Sequence, residues 1–292
     1  MSMDQLQEKI RKMKNPSVVD FNLLPEHIPP HIQERDTFFV TAYEYVCTAL
    51  LKGLKETVPA VRFSLGAMAL HGADGLLVLQ KLLVTAKSLG YYVLLDAPDA
   101  FSRQDAQRGA NLLFREGGDF VFDGLVVNAY IGSDSIRPYC DKLKETGKDL
   151  FAVARTSNKS APELQDLLTG SRLVHMAAAD MVNRYAESLV GRSGYSQLGV
   201  VAAASTASCL RNLRAAYKSV FMLLDGYDYP NANAKNCSNA FDKLGHGAAA
   251  IAGVSIAAAW QEEPANEREF VRLAVEAANR MKKNLLRYIT IL

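Results

Sequence analysis

The chain has 292 residues, of which 49% are hydrophobic and 22% are charged, and this composition excludes an intrinsically disordered protein. Lys and Arg total 33 against 31 for Asp and Glu, so the formal charge of +2 provides no broad field for binding nucleic acid or an anionic membrane. No apolar run reaches the roughly 18 residues that a membrane-spanning helix needs.

Eight short runs of apolar and β-branched residues predict eight β-strands. The runs lack the alternation of hydrophobic and polar residues that a half-exposed sheet shows, which indicates parallel strands buried on both faces. In chain order they are SVVDFN from Ser17, PAVRFSL from Pro59, YYVLLDA from Tyr91, GLVV from Gly124, DLFAVA from Asp149, LGVVAAA from Leu198, SVFMLLD from Ser219 and AAAIAGV from Ala248.

Longer stretches with helical periodicity separate these strands. They cover residues 37–57, 72–89, 103–116, 136–146, 173–190, 206–216, 232–244 and 266–286, and the charged amino-terminal stretch also has a helical pattern. Strands that alternate with helices over this length predict a (β/α)8 TIM barrel of the α/β class, since such barrels typically have about 250 residues. We expect one domain over residues 1–292, with a short N-terminal helix. An open doubly wound sheet is the alternative, but no G-x-G-x-x-G follows the first strand.

The cysteines and the amino terminus predict a cytoplasmic protein without a metal site. Cys47, Cys140, Cys209 and Cys237 form no C-x-x-C pair, and no histidine stands at the spacing of zinc ligands. Free thiols are typical of a reducing compartment. The charged amino terminus does not resemble a secretory signal. We therefore predict neither a metal nor a cofactor.

Polar residues follow almost every predicted strand, at the end of the barrel where reactive groups gather. Because polar groups at the end of a buried strand need a partner, a ligand or water, they predict a polar barrel mouth. The candidate ligand-binding residues at these ends are Asn22, Arg62, Asn128, Arg155, Thr156, Ser157 and Asn158, and Asp96 lies at the end of the third run.

Two central segments carry a family resemblance. VVNAYIGSDSIRPY from Val126 and FAVARTSNKSAPELQDL from Phe151 resemble the fourth and fifth strand regions of bacterial orotidine 5′-phosphate decarboxylases, and KNPSVVDFNLLPEHIP from Lys14 resembles the first. The resemblance extends in the same order over nearly the whole chain. It implies a (β/α)8 barrel, a homodimer without cofactor, and removal of the pyrimidine carboxylate through a carbanion-like centre that a lysine stabilises and protonates.

The residues that the resemblance places at the reaction centre are mostly replaced. Asp96 matches the first acid of the family's D-x-K-x-x-D, and the resemblance therefore makes it the candidate catalytic residue. Pro98 stands at the lysine and Phe101 at the second acid. Arg62 stands at the second-strand lysine, and Asn22 at the first-strand aspartate that contacts the ribose.

The family's phosphate loop is also altered. In DGYDYPNAN from Asp225, Gly226 and Tyr227 match the family, so the resemblance implies that they are ligand-binding candidates. Pro230 replaces the family's glutamine, and VSIAAAW from Val254 offers no counterpart of its arginine. Proline cannot deliver a proton, and an arginine with a pKa above about 12 is a poor general acid.

Structural roles compete with functional ones for several of these residues. Asp96 can simply accept backbone hydrogen bonds at a turn, and Asn128 can hold a loop. The resemblance implies that Thr156, Ser157 and Asn158 recognise the pyrimidine, with a structural role equally open. Arg62 and Arg155 can hold an anion together, although ion pairs with Asp96 or Asp225 are the commoner arrangement.

The leading hypothesis is a divergent, catalytically impaired or repurposed member of this family, which binds a nucleotide-like or other small anion or acts through a protein partner. The alternative is an active decarboxylase in which Lys159, Lys235 or Arg62 takes over a charge role. A different lyase or aldolase ranks last, because no strand-end lysine suits a Schiff base.

Overall fold

Eight parallel strands form a closed barrel in the computed structural model, which describes residues 2–97 and 100–292. The strands are β1 (Ser17–Asp20), β2 (Ala60–Ser64), β3 (Tyr92–Asp96), β4 (Gly124–Asn128), β5 (Asp149–Val153), β6 (Leu198–Ala203), β7 (Met222–Asp225) and β8 (Ala248–Ala252). Neighbouring strands pair in the order β1-β8-β7-β6-β5-β4-β3-β2, and β1 closes the ring by pairing with both β2 and β8. The predicted barrel is therefore confirmed, and the alternative open sheet is wrong.

The barrel strands are buried along almost their whole length, which explains their continuous apolar sequence. Every residue of β6 and β8 is buried. Phe21 and Phe63 are fully buried, and their rings stack with centroids 5.1 Å apart. The polar side chains of Asp20, Asp96 and Asp225 lie at the last residues of their strands, where the barrel opens, whereas Ser17 and Asp149 begin their strands at the opposite end.

Twelve helices accompany the barrel strands in the described residues. They are α1 (Ser2–Met13), α2 (Pro30–Arg35), α3 (Phe39–Leu54), α4 (Leu65–Ala69), α5 (Gly72–Ser88), α6 (Arg103–Leu113), α7 (Arg137–Thr146), α8 (Val174–Ala186), α9 (Ala207–Ala216), α10 (Ala234–Ser238), α11 (Val254–Ala257) and α12 (Phe270–Leu286). Most of the predicted helices agree with these bounds within a few residues. A two-stranded hairpin of residues 168–169 and 172–173, which the sequence analysis did not predict, precedes α8.

The helix predicted over residues 232–244 is wrong beyond its first turns, because α10 has only five residues. Asn233 caps its start, with Oδ1 accepting a hydrogen bond from the Asn236 N–H at 2.8 Å. The side chain of Asn239 then donates to the Lys235 carbonyl at 3.2 Å, and Asp242 accepts from the Leu244 N–H at 2.8 Å. Asn and Asp side chains that bond to nearby backbone groups compete with helix formation, so the apparent periodicity ends in turns.

Helix α1 closes the amino-terminal end of the barrel. Its apolar face, with Met3, Leu6 and Ile10, is fully buried, and the Ser2 N–H donates to the Gly147 carbonyl at 3.0 Å. Beneath it, Tyr92 donates to the Asp149 carboxylate at 2.6 Å. The plugged end leaves the carboxyl ends of the strands as the open mouth.

All four cysteines carry free thiols. None of the helices in the described ranges is both long enough and apolar enough to cross a membrane.

Candidate functional site

Arg62 lies at the centre of the barrel mouth and contacts three carboxylates. Its Nη2 lies 2.6 Å from Asp20 Oδ2, its Nη1 lies 3.0 Å from Asp225 Oδ1, and its Nε lies 3.7 Å from Asp96 Oδ2. The three acids are the last residues of β1, β7 and β3. Because the carboxyl ends of barrel strands converge, side chains that are far apart in sequence meet around one guanidinium.

The strand alternation of β2 turns Arg62 into the mouth. Arg62 and Ser64 are partly exposed, whereas Val61 and Phe63 are buried, as expected when successive side chains point to opposite faces. In the sheet register Arg62 lies opposite Asp20, and Ser64 lies opposite Asp96. The position of the guanidinium is therefore set by the barrel itself.

Burial and charge shift the acidity of two members of this cluster. Burial raises the pKa of Asp96 to about 7; Arg62 works against that rise, and the charges of Asp20 and Asp225 add to it. Burial disfavours the charged form of Arg62, but the three carboxylates outweigh it and hold the pKa of the guanidinium well above its usual range. Asp96 is therefore the group at the mouth that can exchange a proton near neutral pH, while Arg62 stays charged.

Two buried polar atoms of the cluster have no hydrogen-bond partner among the described residues. They are Asp96 Oδ1 and Arg62 Nε, and the nearest approach of Nε to this carboxylate, 3.7 Å to Oδ2, is too long for a hydrogen bond. Unsatisfied buried polar atoms are costly unless water or a ligand meets them. The cluster therefore retains capacity to bind something else.

A cavity of about 530 Å³ opens beside the cluster, within the range of small-molecule sites. Its lining residues come from the ends of β1, β2, β7 and β8 and from the loops that follow β1, β7 and β8. The lining residues are Asp20, Asn22, Arg62, Asp225, Gly226, Asp228, Tyr229, Ile251, Gly253 and Val254. Three of the residues that the sequence analysis predicted, Asn22, Arg62 and Gly226, are thus placed at one cavity.

The loop after β7 joins the site through Asp225 and Gly226. Ser157, in the loop after β5, donates its hydroxyl hydrogen to Asp225 Oδ2 at 2.8 Å. Gly226 has φ +76°, and a Cβ there would lie 2.5 Å from Ser157 Cβ. A glycine is therefore needed both for the backbone conformation and for the close approach of Ser157. The neighbouring Tyr227 binds the loop to β8, because its N–H donates to the Ile251 carbonyl at 3.0 Å.

Arg155 lies apart from this cavity in an ion pair of its own. Its Nε and Nη2 contact the two oxygens of Asp166 at 2.9 and 2.8 Å, and His175 Nδ1 approaches the same carboxylate at 3.1 Å. The expected alternative of an internal ion pair applies to both arginines, but the partner of Arg155 is Asp166 rather than Asp96 or Asp225. Arg155 and Arg62 therefore do not form a joint anion site.

The remaining predicted residues bond within their own loops. The Thr156 N–H donates to Gln165 Oε1 at 2.8 Å, and Asn158 Nδ2 donates to Ser160 Oγ at 2.8 Å. Asn128 Oδ1 accepts from the Tyr130 N–H at 3.0 Å. These contacts shape the loops after β5 and β4, so the structural roles that the sequence left open are present for these residues.

Pro98 and Phe101, which follow β3, stand where the resemblance expects the lysine and the second acid, and the structure describes only one of them. Phe101 is 86% exposed at the start of the α6 region. Pro98 lies outside the described residues. Phe101 borders a second, largely apolar cavity of about 550 Å³, together with Leu65, Leu112 and Phe120.

The sequence analysis missed Asp20 and Asp228. It took Asn22 as the polar residue of the first strand, but the strand ends two residues earlier, at Asp20. The signal was available, because Asp20 directly follows the apolar pair Val18 and Val19, where a buried strand meets the mouth.

The chain resembles known proteins in both sequence and fold. No family model matches the chain. Orotidine 5′-phosphate decarboxylase of Clostridium novyi is 26% identical over 294 residues, which cover 97% of this chain and 98% of that protein. The enzyme of the same name from Petrotoga mobilis is 25% identical over 295 residues, and the alignment covers 98% of each chain.

Solved structures of the same kind share the fold. The OMP decarboxylase of Leishmania donovani superposes with a TM-score of 0.73 at 21% identity, covering 97% of this chain and 99% of that one. Orotidine 5′-monophosphate decarboxylase of Plasmodium berghei superposes with a TM-score of 0.76 at 13% identity, covering 97% and 99%. The resemblance predicted from the sequence is therefore confirmed, and the chain is a divergent relative of the orotidine 5′-phosphate decarboxylases.

Proposed function

We propose that the chain is a catalytically impaired relative of the orotidine 5′-phosphate decarboxylases that keeps the barrel mouth as a binding site for a small molecule. One observation carries the proposal. The cation at the mouth is a guanidinium that three carboxylates already neutralise, at 2.6, 3.0 and 3.7 Å. Such a group can position a ligand or hold the mouth together, but it has no proton to give.

The chemistry of decarboxylation explains why this matters. Loss of carbon dioxide from the pyrimidine leaves a carbanion-like centre, which must be stabilised and then protonated. An arginine is a poor general acid even in water, and the three carboxylates raise the pKa of Arg62 further. Phe101 cannot replace a carboxylate, because its side chain has no ionisable group. Two requirements of the reaction therefore go unmet.

The alternative, an active decarboxylase with displaced residues, has less support. Lys159 and Lys235 are both exposed to solvent. Neither is among the described residues that line the mouth cavity. A lysine there would also need to lie beside Asp96, where Arg62 already stands.

The mouth cavity favours a small molecule over a protein partner as the ligand. Its volume of about 530 Å³ suits a ligand of nucleoside size, and its lining contains carboxylates, an amide and backbone groups that can form directional hydrogen bonds. The resemblance implies that a serine in the loop after β5 reads the base edge, and Ser157 bonds to Asp225, which lines the cavity. Of the ligands expected from the sequence, a small molecule related to a nucleoside or nucleotide therefore remains the starting point.

The decisive test is turnover of orotidine 5′-monophosphate by the purified chain. We expect no release of carbon dioxide above that of a protein-free blank, while a decarboxylase from Clostridium novyi assayed alongside gives full conversion. Turnover by this chain that disappears in Asp96→Ala but persists in Asp141→Ala, an exposed acid on α7, would contradict the proposal. Growth of a uracil-requiring strain that expresses the chain would contradict it too.

We also propose that the chain forms a homodimer, as the family resemblance implies. Two large apolar side chains stand in solvent at one edge of the barrel, Phe101 with 86% and Leu112 with 55% exposure. Both border the apolar cavity that also contains Leu65 and Phe120. Exposed apolar groups that border a cavity are typical of an interaction site, which supports an interface at this edge.

A further inference from the structure

The loop after β7 places a carboxylate directly on the last strand of the barrel. Asp228 Oδ2 accepts a hydrogen bond from the backbone N–H of Gly253 at 2.6 Å. Its other oxygen, Oδ1, accepts from the hydroxyl of Ser255. Both oxygens of this carboxylate are therefore used, and they join the loop after β7 to the segment after β8.

These two donors lie where a barrel of this kind presents groups to a phosphate. Phosphate sites in (β/α)8 barrels are often formed by the loops after the seventh and eighth strands, through backbone N–H groups. Here the Gly253 N–H and the Ser255 hydroxyl, which follow β8, already donate hydrogen bonds to a carboxylate of the chain itself, that of Asp228. A Cβ at position 253 would lie 3.6 Å from Asp228 Oδ2, which is an ordinary van der Waals contact, so the carboxylate reaches this N–H without depending on a glycine.

The charge of the cavity also disfavours a phosphorylated ligand. Asp20, Asp225 and Asp228 line it together with Arg62, which is the one basic side chain among its described lining residues. Three carboxylates against one guanidinium leave a formal charge of −2, and Asp96 lies next to the same guanidinium. A ligand phosphate would enter an already negative cavity and would compete with Asp228 for its donors.

We propose that Asp228 is a specificity-determining residue that acts as an internal anion: it occupies the phosphate position of the mouth and excludes phosphorylated ligands. The cavity then selects neutral or cationic ligands that donate hydrogen bonds to its carboxylates, such as a nucleoside without its phosphate. This inference deepens the proposed function and rests on it for the location of the site. It also gives a reason, independent of Arg62, for a loss of activity on a nucleotide.

Binding of phosphorylated probes to variants of the full chain tests the inference. Inorganic phosphate and UMP are titrated by calorimetry and by thermal shift at low ionic strength. Asp228→Ala removes the carboxylate and releases both donors, and it should bind both probes at least tenfold more tightly than the wild type. Asp228→Asn removes only the charge and should gain less. The exposed-site control Asp141→Ala should behave as the wild type does.

A double variant tests whether the gain in affinity of Asp228→Ala depends on the donors that Asp228 releases. Asp228→Ala combined with Ser255→Ala lacks one of the released donors, so it should lose most of the gain in affinity. Circular dichroism checks that each variant is folded. If Asp228→Ala does not fold, Asp228→Asn takes its place in the binding experiment. Wild-type affinity for UMP equal to that of the folded Asp228 variants would overturn the inference, and so would the absence of any gain in them.

The two proposals fail in different ways. A wild-type chain that binds UMP tightly but leaves orotidine 5′-monophosphate intact contradicts the internal anion and leaves the impaired barrel standing. A folded Asp228→Ala that gains phosphate binding supports the internal anion whatever the turnover assay gives for the wild type.

Discussion

Replacing Arg62 by methionine removes the cation that three carboxylates share and keeps most of the side-chain volume. A pair of unit charges about 4 Å apart interacts by about 4 kcal/mol at an effective dielectric constant near 20, and desolvation cancels much of this gain. Removing one partner of a buried ion pair typically costs about 3–5 kcal/mol, because a charge is left without compensation. Arg62 is only 12% exposed and compensates more than one acid. We therefore expect Arg62→Met to lower the free energy of unfolding by about 3–5 kcal/mol at pH 8.

The loss should depend on pH with a definite sign. In the wild type Arg62 lowers the pKa of Asp96, which burial has raised to about 7. Without Arg62 the pKa of Asp96 rises further, so the folded variant takes up a proton at a higher pH than the folded wild type does. Proton uptake by the folded state stabilises it, and the difference between variant and wild type should therefore shrink as the pH falls from 8 to 5.

Urea unfolding followed by circular dichroism at both pH values measures these differences. Arg108→Met provides a matched control, because the Arg108 side chain is 68% exposed in its ion pair with Asp105 and should change stability by less than about 1 kcal/mol. Asp225→Asn in the Arg62→Met background should recover part of the loss, since it removes one of the charges left unpaired. A loss below about 1 kcal/mol at pH 8, or one that grows as the pH falls, would refute the electrostatic account of the mouth.

Three further predictions follow from single side chains. The folded-state pKa of Asp96 lies above its usual value, so its contribution to stability is fully present below about pH 4 and is lost as the pH rises through about 7. Asp96→Asn should remove this dependence, and the wild type should lose on the order of 1–3 kcal/mol relative to the variant between pH 5 and 8.5 in urea unfolding. Phe101→Asp should shift a dimer to a monomer in size-exclusion chromatography with light scattering, whereas an unchanged mass would contradict an interface at this edge. Gly226→Ala should lower the unfolding free energy by more than about 1 kcal/mol, because the residue has φ +76° and its Cβ would collide with Ser157; a neutral effect in thermal unfolding would contradict that geometry.

The barrel could be predicted from the sequence because its signals are local. Apolar runs such as Leu198–Ala203 are buried on both faces, and they appear in the sequence as uninterrupted stretches. The motifs around Asn128 and in residues 155–158 carried the family resemblance for the same reason, since each is a continuous segment. The prediction of a helix over residues 232–244 was wrong because side chains such as Asn239 and Asp242 bond to nearby backbone groups and end the helix early. Periodicity alone does not reveal such bonds.

The sequence alone predicted only part of the chemistry of the site. The sequence placed Phe101 and Arg62 at positions where the resemblance requires an acid and a lysine, and this follows from identity and order along the chain. It did not reveal that Arg155 is bound to Asp166, because that bond depends on how the loop after β5 folds back. A candidate anion-binding arginine thus became part of a separate ion pair.

The sequence by itself determined that eight buried strands alternate with helices, and its family resemblance implied that the residue types that protonate a carbanion are replaced. Only the tertiary structure decided which charges meet. Asp20, Arg62, Asp96 and Asp225 lie on four different strands, and closure of the barrel brings them within hydrogen-bonding or ion-pair distance. The bond from Asp228 to Gly253 arises in the same way, because the loops that follow neighbouring strands come together at the mouth. Contacts of this kind depend on distances in space between residues that no local pattern connects.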